Sequence, residues 1–122
     1  MDKLSHYRHV VKKILSEYDC YASSSPNSDS KALLLPAERE HCLVFDEERD
    51  QYLWLRLGWQ GKKRVKGINI HFRIKNEKIW VEEDWTEDGV VTELINAGVP
   101  HHDIVLAFYP PEERNLTEFA IV

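Results

Sequence analysis

What this chain has least of is catalytic grammar. Its 122 residues contain no G-x-S-x-G, no glycine-rich phosphate loop, no C-x-x-C, no H-x-x-x-H and no H-E-x-x-H. Those gaps remove the nucleophile-elbow hydrolases, the P-loop enzymes, dithiol redox proteins and the helical zinc sites as readings. Cysteine is scarce as well. Cys20 and Cys42 stand far apart, and with a charged, amphipathic start in place of a secretory segment they read as free thiols of a reducing cytoplasm. Long apolar runs are missing. The longest, residues 104–109, is far short of the roughly 20 residues a membrane-spanning helix needs, so no membrane association is expected. A basic excess is missing too. Sixteen Lys and Arg against 21 Asp and Glu leave a net charge of −5, which speaks against a protein that holds nucleic acid by bulk charge.

What is present fits one α+β domain over residues 1–122, since this length is close to the commonest domain size. Hydrophobic residues make up 43% of the chain and include four Trp, enough for a real core. Leu4, Tyr7, Val11, Ile14, Leu15 and Tyr18 recur at helical spacing and predict an amphipathic N-terminal helix of about four turns. Residues 22–36 follow as a flexible loop, polar and Pro-bearing in its first part. From His41 to Asp84 the period changes to two, predicting an antiparallel meander of four or more strands. Leu53, Leu55, Leu57 and Trp59 alternate with Tyr52, Trp54, Arg56 and Gly58, and Ile68, Ile70, Phe72 and Ile74 alternate with His71 and Arg73.

Loop lengths set the expected register, because a slip of one residue turns every side chain over. A turn at 60–63 pairs Leu55 with Ile68 and Leu53 with Ile70. A turn at 76–77 pairs Ile74 with Ile79 and Phe72 with Val81. A three-residue loop at 48–50 pairs Phe45 with Leu53. In that register the aliphatic residues share one face, covered by the N-terminal helix and by a second helix over 87–97. Thr86 is the expected cap of that second helix and Gly98 its stop. Residues 104–108 read as a further strand or a short buried helix, and 118–122 as a possible edge strand.

The other face of that expected sheet gathers Tyr52, Trp54, Arg56, His71, Arg73, Trp80 and Glu82. An aromatic surface with Arg and little Lys has the composition of an interface core. It is either covered within the chain or used between chains, and the second use predicts a homo-oligomer, a dimer or higher, formed by a two-fold axis. Lys62, Lys63, Arg64 and Lys66 form a basic hairpin, the one nucleic-acid candidate, since cations beside aromatics hold phosphate and stack bases. The seven Lys and Arg of 62–78 face six Asp and Glu in 82–93, so local self-neutralisation accounts for much of that asymmetry. Other clusters lead to no chemistry. His101, His102 and Asp103 are adjacent residues of a turn, a poor arrangement for one metal ion. Asp46, Glu47, Glu48 and Asp50 lack the calcium-loop frame and suit turn capping. A nuclease arrangement ending in Glu-x-Lys is absent, and Glu77 falls on a turn tip. No catalytic residue, metal ligand or cofactor is expected.

Several stretches together resemble the XisI family, the cyanobacterial fdxN-element excision controlling factors. They are Gly98-Val99-Pro100-His101-His102-Asp103 with the apolar run after it, Pro110-Pro111, Arg114 and Thr117-Glu118-Phe119-Ala120. Further matches are Asp46 to Tyr52 with Gly58-Trp59, the R-x-x-G-x-x-x-H of Arg64, Gly67 and His71, and Lys78 to Val81 with Asp84, Thr86, Glu87 and Gly89. The resemblance covers residues 1–18 and 41–122. It implies a cytoplasmic, non-catalytic accessory factor for excision of a DNA element during heterocyst differentiation. The implied partners are an XisH-like, endonuclease-fold protein and a site-specific recombinase. A direct DNA-binding accessory and an enzyme of unknown activity stand as the alternatives.

Overall fold

The computed structural model describes residues 2–24, 39–87 and 89–122. Helix α1 spans Lys3–Ser24, longer than the periodic stripe alone suggests. Its start is set by Asp2, whose Oδ1 accepts the Ser5 N–H at 2.7 Å, the usual capping chemistry. Tyr7, Val10, Val11, Ile14 and Leu15 are buried along one side. Residues 22–24 of the expected loop continue this helix, and the rest of that loop lies outside the described residues.

Strands β1 (Arg39–Asp46), β2 (Gln51–Gln60), β3 (Lys63–Lys75) and β4 (Lys78–Asp84) pair antiparallel in chain order, as the meander requires. A fifth strand, β5 (Ile104–Leu106), lies parallel to β4. A parallel neighbour needs a crossover, which residues 85–103 provide with helix α2 (Val91–Asn96). This helix is shorter than the expected 87–97, because Asp84 takes over the turn before it. Its Oδ1 accepts the Thr86 N–H at 3.0 Å and its Oδ2 the Val90 N–H at 2.9 Å. The Thr86 hydroxyl donates to Asp84 and accepts the Gly89 N–H, so it caps no helix. At the far end Gly98, at φ 95°, lets the Val99 N–H return to the Leu94 carbonyl at 3.0 Å, an αL stop. Helix α3 (Pro111–Arg114) begins on the second of the two prolines. The edge strand expected at 118–122 reduces to one parallel bridge between Ala120 and Val105.

The register holds at the hairpin tip and fails beyond it. Leu55 pairs with Ile68 as expected, but Asn69 is an extra residue in β3, so Trp54 rather than Leu53 faces Ile70. The β1–β2 turn takes four residues, with Asp50 at φ 52°, and pairs Phe45 with Tyr52. Asp46 fixes this turn by accepting the N–H groups of Glu48 and Arg49. In β4 the extra residue is Glu82, which puts His71 opposite Glu83, while Phe72–Val81 and Arg73–Trp80 stand as predicted. Such bulges change which side chains a face presents.

The core therefore lies between α1, α2 and a sheet face carrying Tyr52, Trp54, Ile70, Phe72, Ile74, Ile79 and Val81. Polar contacts pin α1 down along its length. Arg8 reaches Asp50 through two hydrogen bonds at 2.8 and 3.1 Å. Tyr52 donates to the same carboxylate at 2.9 Å, and Trp54 Nε1 donates to Asp19 at 3.0 Å. Asp103, buried at the start of β5, receives the Tyr7 hydroxyl and Lys3 Nζ. Burial raises the Asp103 carboxyl, but the donors from Tyr7 and Lys3 outweigh it and hold it below the ordinary value.

Candidate interaction face

Helices α1 and α2 lie on one face of the sheet, and the pairing register sets what the opposite face presents. Across the strands, one row runs Gln51, Arg73, Trp80, Val105; the next Val44, Leu53, His71, Glu83; the next Cys42, Leu55, Ile68; then Leu57 beside Lys66 and Trp59 beside Arg64. Leu53, Leu55, Leu57 and Ile68 are only half-buried, Val44 is 39% exposed and Cys42 is exposed. A continuous aliphatic band is thus left without a covering layer among the described residues. Monomeric proteins seldom leave such a band open without a use for it.

Tyr52 and Trp54, two of the residues predicted for an intermolecular face, do not belong to it. They are 0% and 7% exposed beneath α1. The Asn69 bulge and the longer β1–β2 turn exchange them with Leu53 and Leu55, so the interface expectation is wrong for both. Trp80 is on the open side of the sheet yet 6% exposed, because its own chain covers it. Arg73, Lys75 and Arg114 stand 5.2, 5.0 and 5.5 Å from its ring centroid, and its Nε1 donates to the Lys75 carbonyl. The Arg73–Trp80 pair has cation–π geometry, but Trp80 is closed off rather than offered.

Of the remaining expected residues, Arg73, Glu82 and His71 form the rim, and Arg56 does not. Arg73 Nη2 lies 3.1 Å from Glu82 Oε2, and His71 Nε2 lies 2.8 Å from Gln51 Oε1. Burial pushes the His71 imidazole below its ordinary value, against the pull of Glu82. Arg56 lies on the helix side, where its Nη1 donates to Asn69 Oδ1 at 2.6 Å and to the Ile68 carbonyl. A Cβ at Gly67 would come 2.5 Å from its Nη2, which gives the glycine of the R-x-x-G-x-x-x-H stretch a physical reason. Lys62, Lys63, Arg64 and Lys66 are all exposed, with Arg64 stacked 5.2 Å from the ring of Trp59.

The C-terminal signature serves the scaffold. Arg114, 8% exposed, donates to the carbonyls of Tyr109, Ala107 and Ile121. His101 stacks on Phe119 at 5.1 Å and lies 3.3 Å from Glu118. Among the described residues no group of three or more His, Cys, Asp or Glu is placed to hold a metal ion, and no helix is long and apolar enough to cross a membrane.

Comparison with known proteins agrees with this architecture. The family model described as XisI protein matches residues 1–121. The crystal structure of the fdxN element excision controlling factor XisI from Anabaena variabilis is 47% identical with a TM-score of 0.81, covering 99% of this chain and 100% of that one. A XisI-like protein from the same organism is 33% identical with a TM-score of 0.84, over 99% of this chain and 100% of its own. No curated protein matches.

Proposed function

The chain belongs to the XisI family, and on that premise we propose that it is a non-catalytic accessory factor in excision of a DNA element, acting by holding another polypeptide against the open face of its sheet. The observation that carries this reading is the band of Leu53, Leu55, Leu57 and Ile68, which lies half-buried on the face opposite α1 and α2. The Anabaena relative named as an excision controlling factor supports the context. Two copies of the chain pack through this face when no other partner is present, and an XisH-like protein or the recombinase complex is the heterologous occupant. Arg73, Glu82 and His71 form the polar rim that sets orientation. The test is co-elution of the purified chain with an XisH-like protein from the same host. Wild type should co-elute and a folded Leu53→Glu/Leu55→Glu variant should not. Equal co-elution of both would remove the open face as the docking surface.

A second reading has its own observation. Trp59 is 46% exposed with Arg64 stacked on it, and the exposed Lys62, Lys63 and Lys66 belong to the same hairpin. Cations around an exposed ring suit single-stranded nucleic acid. Binding that weakens steeply with salt, with a slope that shrinks when Lys62, Lys63 and Arg64 are neutralised, would bring this reading forward.

A further inference from the structure

Strand β3 is longer than the strand beside it. It pairs with β2 from Lys63 to Arg73, but β4 accompanies it only from Ile70 onward. The last bond on that side runs from the Trp85 N–H to the Asn69 carbonyl at 2.9 Å. Among the described residues none pairs with the outer edge of 63–68. Six residues of strand give an open edge of about 20 Å, the length of an ordinary added strand. Unpaired edges invite another strand unless something repels it.

The charges at this edge decide which strand. Between Gln51 and Asn76 the sequence has no Asp or Glu. On the open side of the sheet the edge presents Arg64 and Lys66. On the helix side it presents Lys63 and, across the bare backbone of Gly67, the guanidinium of Arg56, held by Asn69 and Ile68. Both sides of an incoming strand would therefore meet cations. A second copy of β3 would bring the same cations against themselves, so the edge is closed to self-pairing by repulsion. Where β4 departs, Trp85 is 71% exposed, its Nε1 donating to Glu83 at 2.9 Å and its ring 5.9 Å from Arg56. It offers an apolar surface at the end of the gap.

We infer that the outer edge of β3 over residues 63–68 accepts an acidic, extended segment of a partner protein as an added strand. Backbone hydrogen bonds supply the register, and carboxylates on alternating sides of the segment meet Arg64 and Lys66 on one face and Lys63 and Arg56 on the other. This edge borders the aliphatic band, meeting it at Ile68, so a partner strand added here lies beside the band rather than over it.

The test uses the full chain and a labelled eight-residue peptide of alternating Val and Glu. Fluorescence anisotropy measures binding, and amide hydrogen exchange locates it. The acidic peptide should slow exchange at 63–68 at least tenfold, with binding that weakens as salt rises. N-methylated versions of the same charge should bind at least tenfold more weakly. A Lys63→Glu/Lys66→Glu variant with an unchanged melting temperature should prefer the Val-Lys peptide instead. Equal binding of the N-methylated peptides, no protection at 63–68 with millimolar peptide, or protection by a single-stranded 12-mer DNA but not by the peptide would each overturn the proposal.

Discussion

Both faces of the sheet are built from large apolar side chains, yet they end in opposite states. On one, Tyr52, Trp54, Ile70 and Phe72 lie under α1 with 7% exposure or less, and every polar group they bring is answered: Tyr52 by Asp50, Trp54 by Asp19. On the other, Leu53, Leu55, Leu57 and Ile68 carry no polar atoms that need partners and stay half-exposed. Among the described residues only the corner at Trp80 is closed, by Arg114 and the tail it binds. Burying the aromatic residues that need hydrogen bonds and leaving aliphatic ones open suits a surface made to meet another protein. Aliphatic side chains desolvate without leaving a donor unpaired.

The sharpest break of this contrast is a pair of truncations. Phe72→Ala should cost about 3–5 kcal/mol in denaturant unfolding, the usual range for a fully buried ring. Leu55→Ala, half-exposed on the other face, should cost no more than about 1 kcal/mol. Similar losses would mean that the open face is as closed as the covered one.

The closed corner ranks next. Arg114→Ala removes three bonds to carbonyls and the cation over Trp80, and should cost about 2–3 kcal/mol. Indole fluorescence should report Trp80 moving toward solvent. An unchanged melting temperature would leave the C-terminal signature without its structural explanation.

Asp50→Asn comes third, at about 1 kcal/mol near neutral pH because the pair with Arg8 is only partly buried. The Arg8 guanidinium, with the Tyr52 hydroxyl behind it and against the effect of burial, holds the Asp50 carboxyl below its usual value. Its contribution is complete above the unfolded carboxylate range near about pH 4 and is lost as pH falls through the lower folded value. The stability gap between wild type and Asp50→Asn should therefore close in acid. A gap that persists there would place the effect in packing.

How much of this contrast was legible in the sequence varies with the element. The N-terminal helix, four strands, the tip pairing of Leu55 with Ile68 and the Phe72–Val81 pair all follow from periodicity and turn length. The identity of the faces does not. An extra residue at Asn69 or Glu82 has no compositional mark, and in 52–55 both parities are apolar, so polarity offers no check on the register there. Tyr52 and Trp54 read as interface residues for that reason. The crossover to a parallel β5 was hidden because 104–106 suits a buried strand in either direction. The cap at 84–90 differs from the expected one because Asp84, not Thr86, accepts the Thr86 and Val90 N–H groups. Arg56 over Gly67 is a contact between strands that no local pattern announces.

The smallest effect on stability should accompany the largest effect on assembly. Light scattering of the wild type and of Leu55→Glu, both confirmed folded, tests most directly whether the open face is occupied by another polypeptide. The expected result is a wild type at twice the mass of one chain or more and a variant at the mass of one, with melting temperatures that differ by no more than a change of about 1 kcal/mol implies. A wild type at the mass of one chain, or a Leu55→Glu variant that assembles as the wild type does, would contradict it.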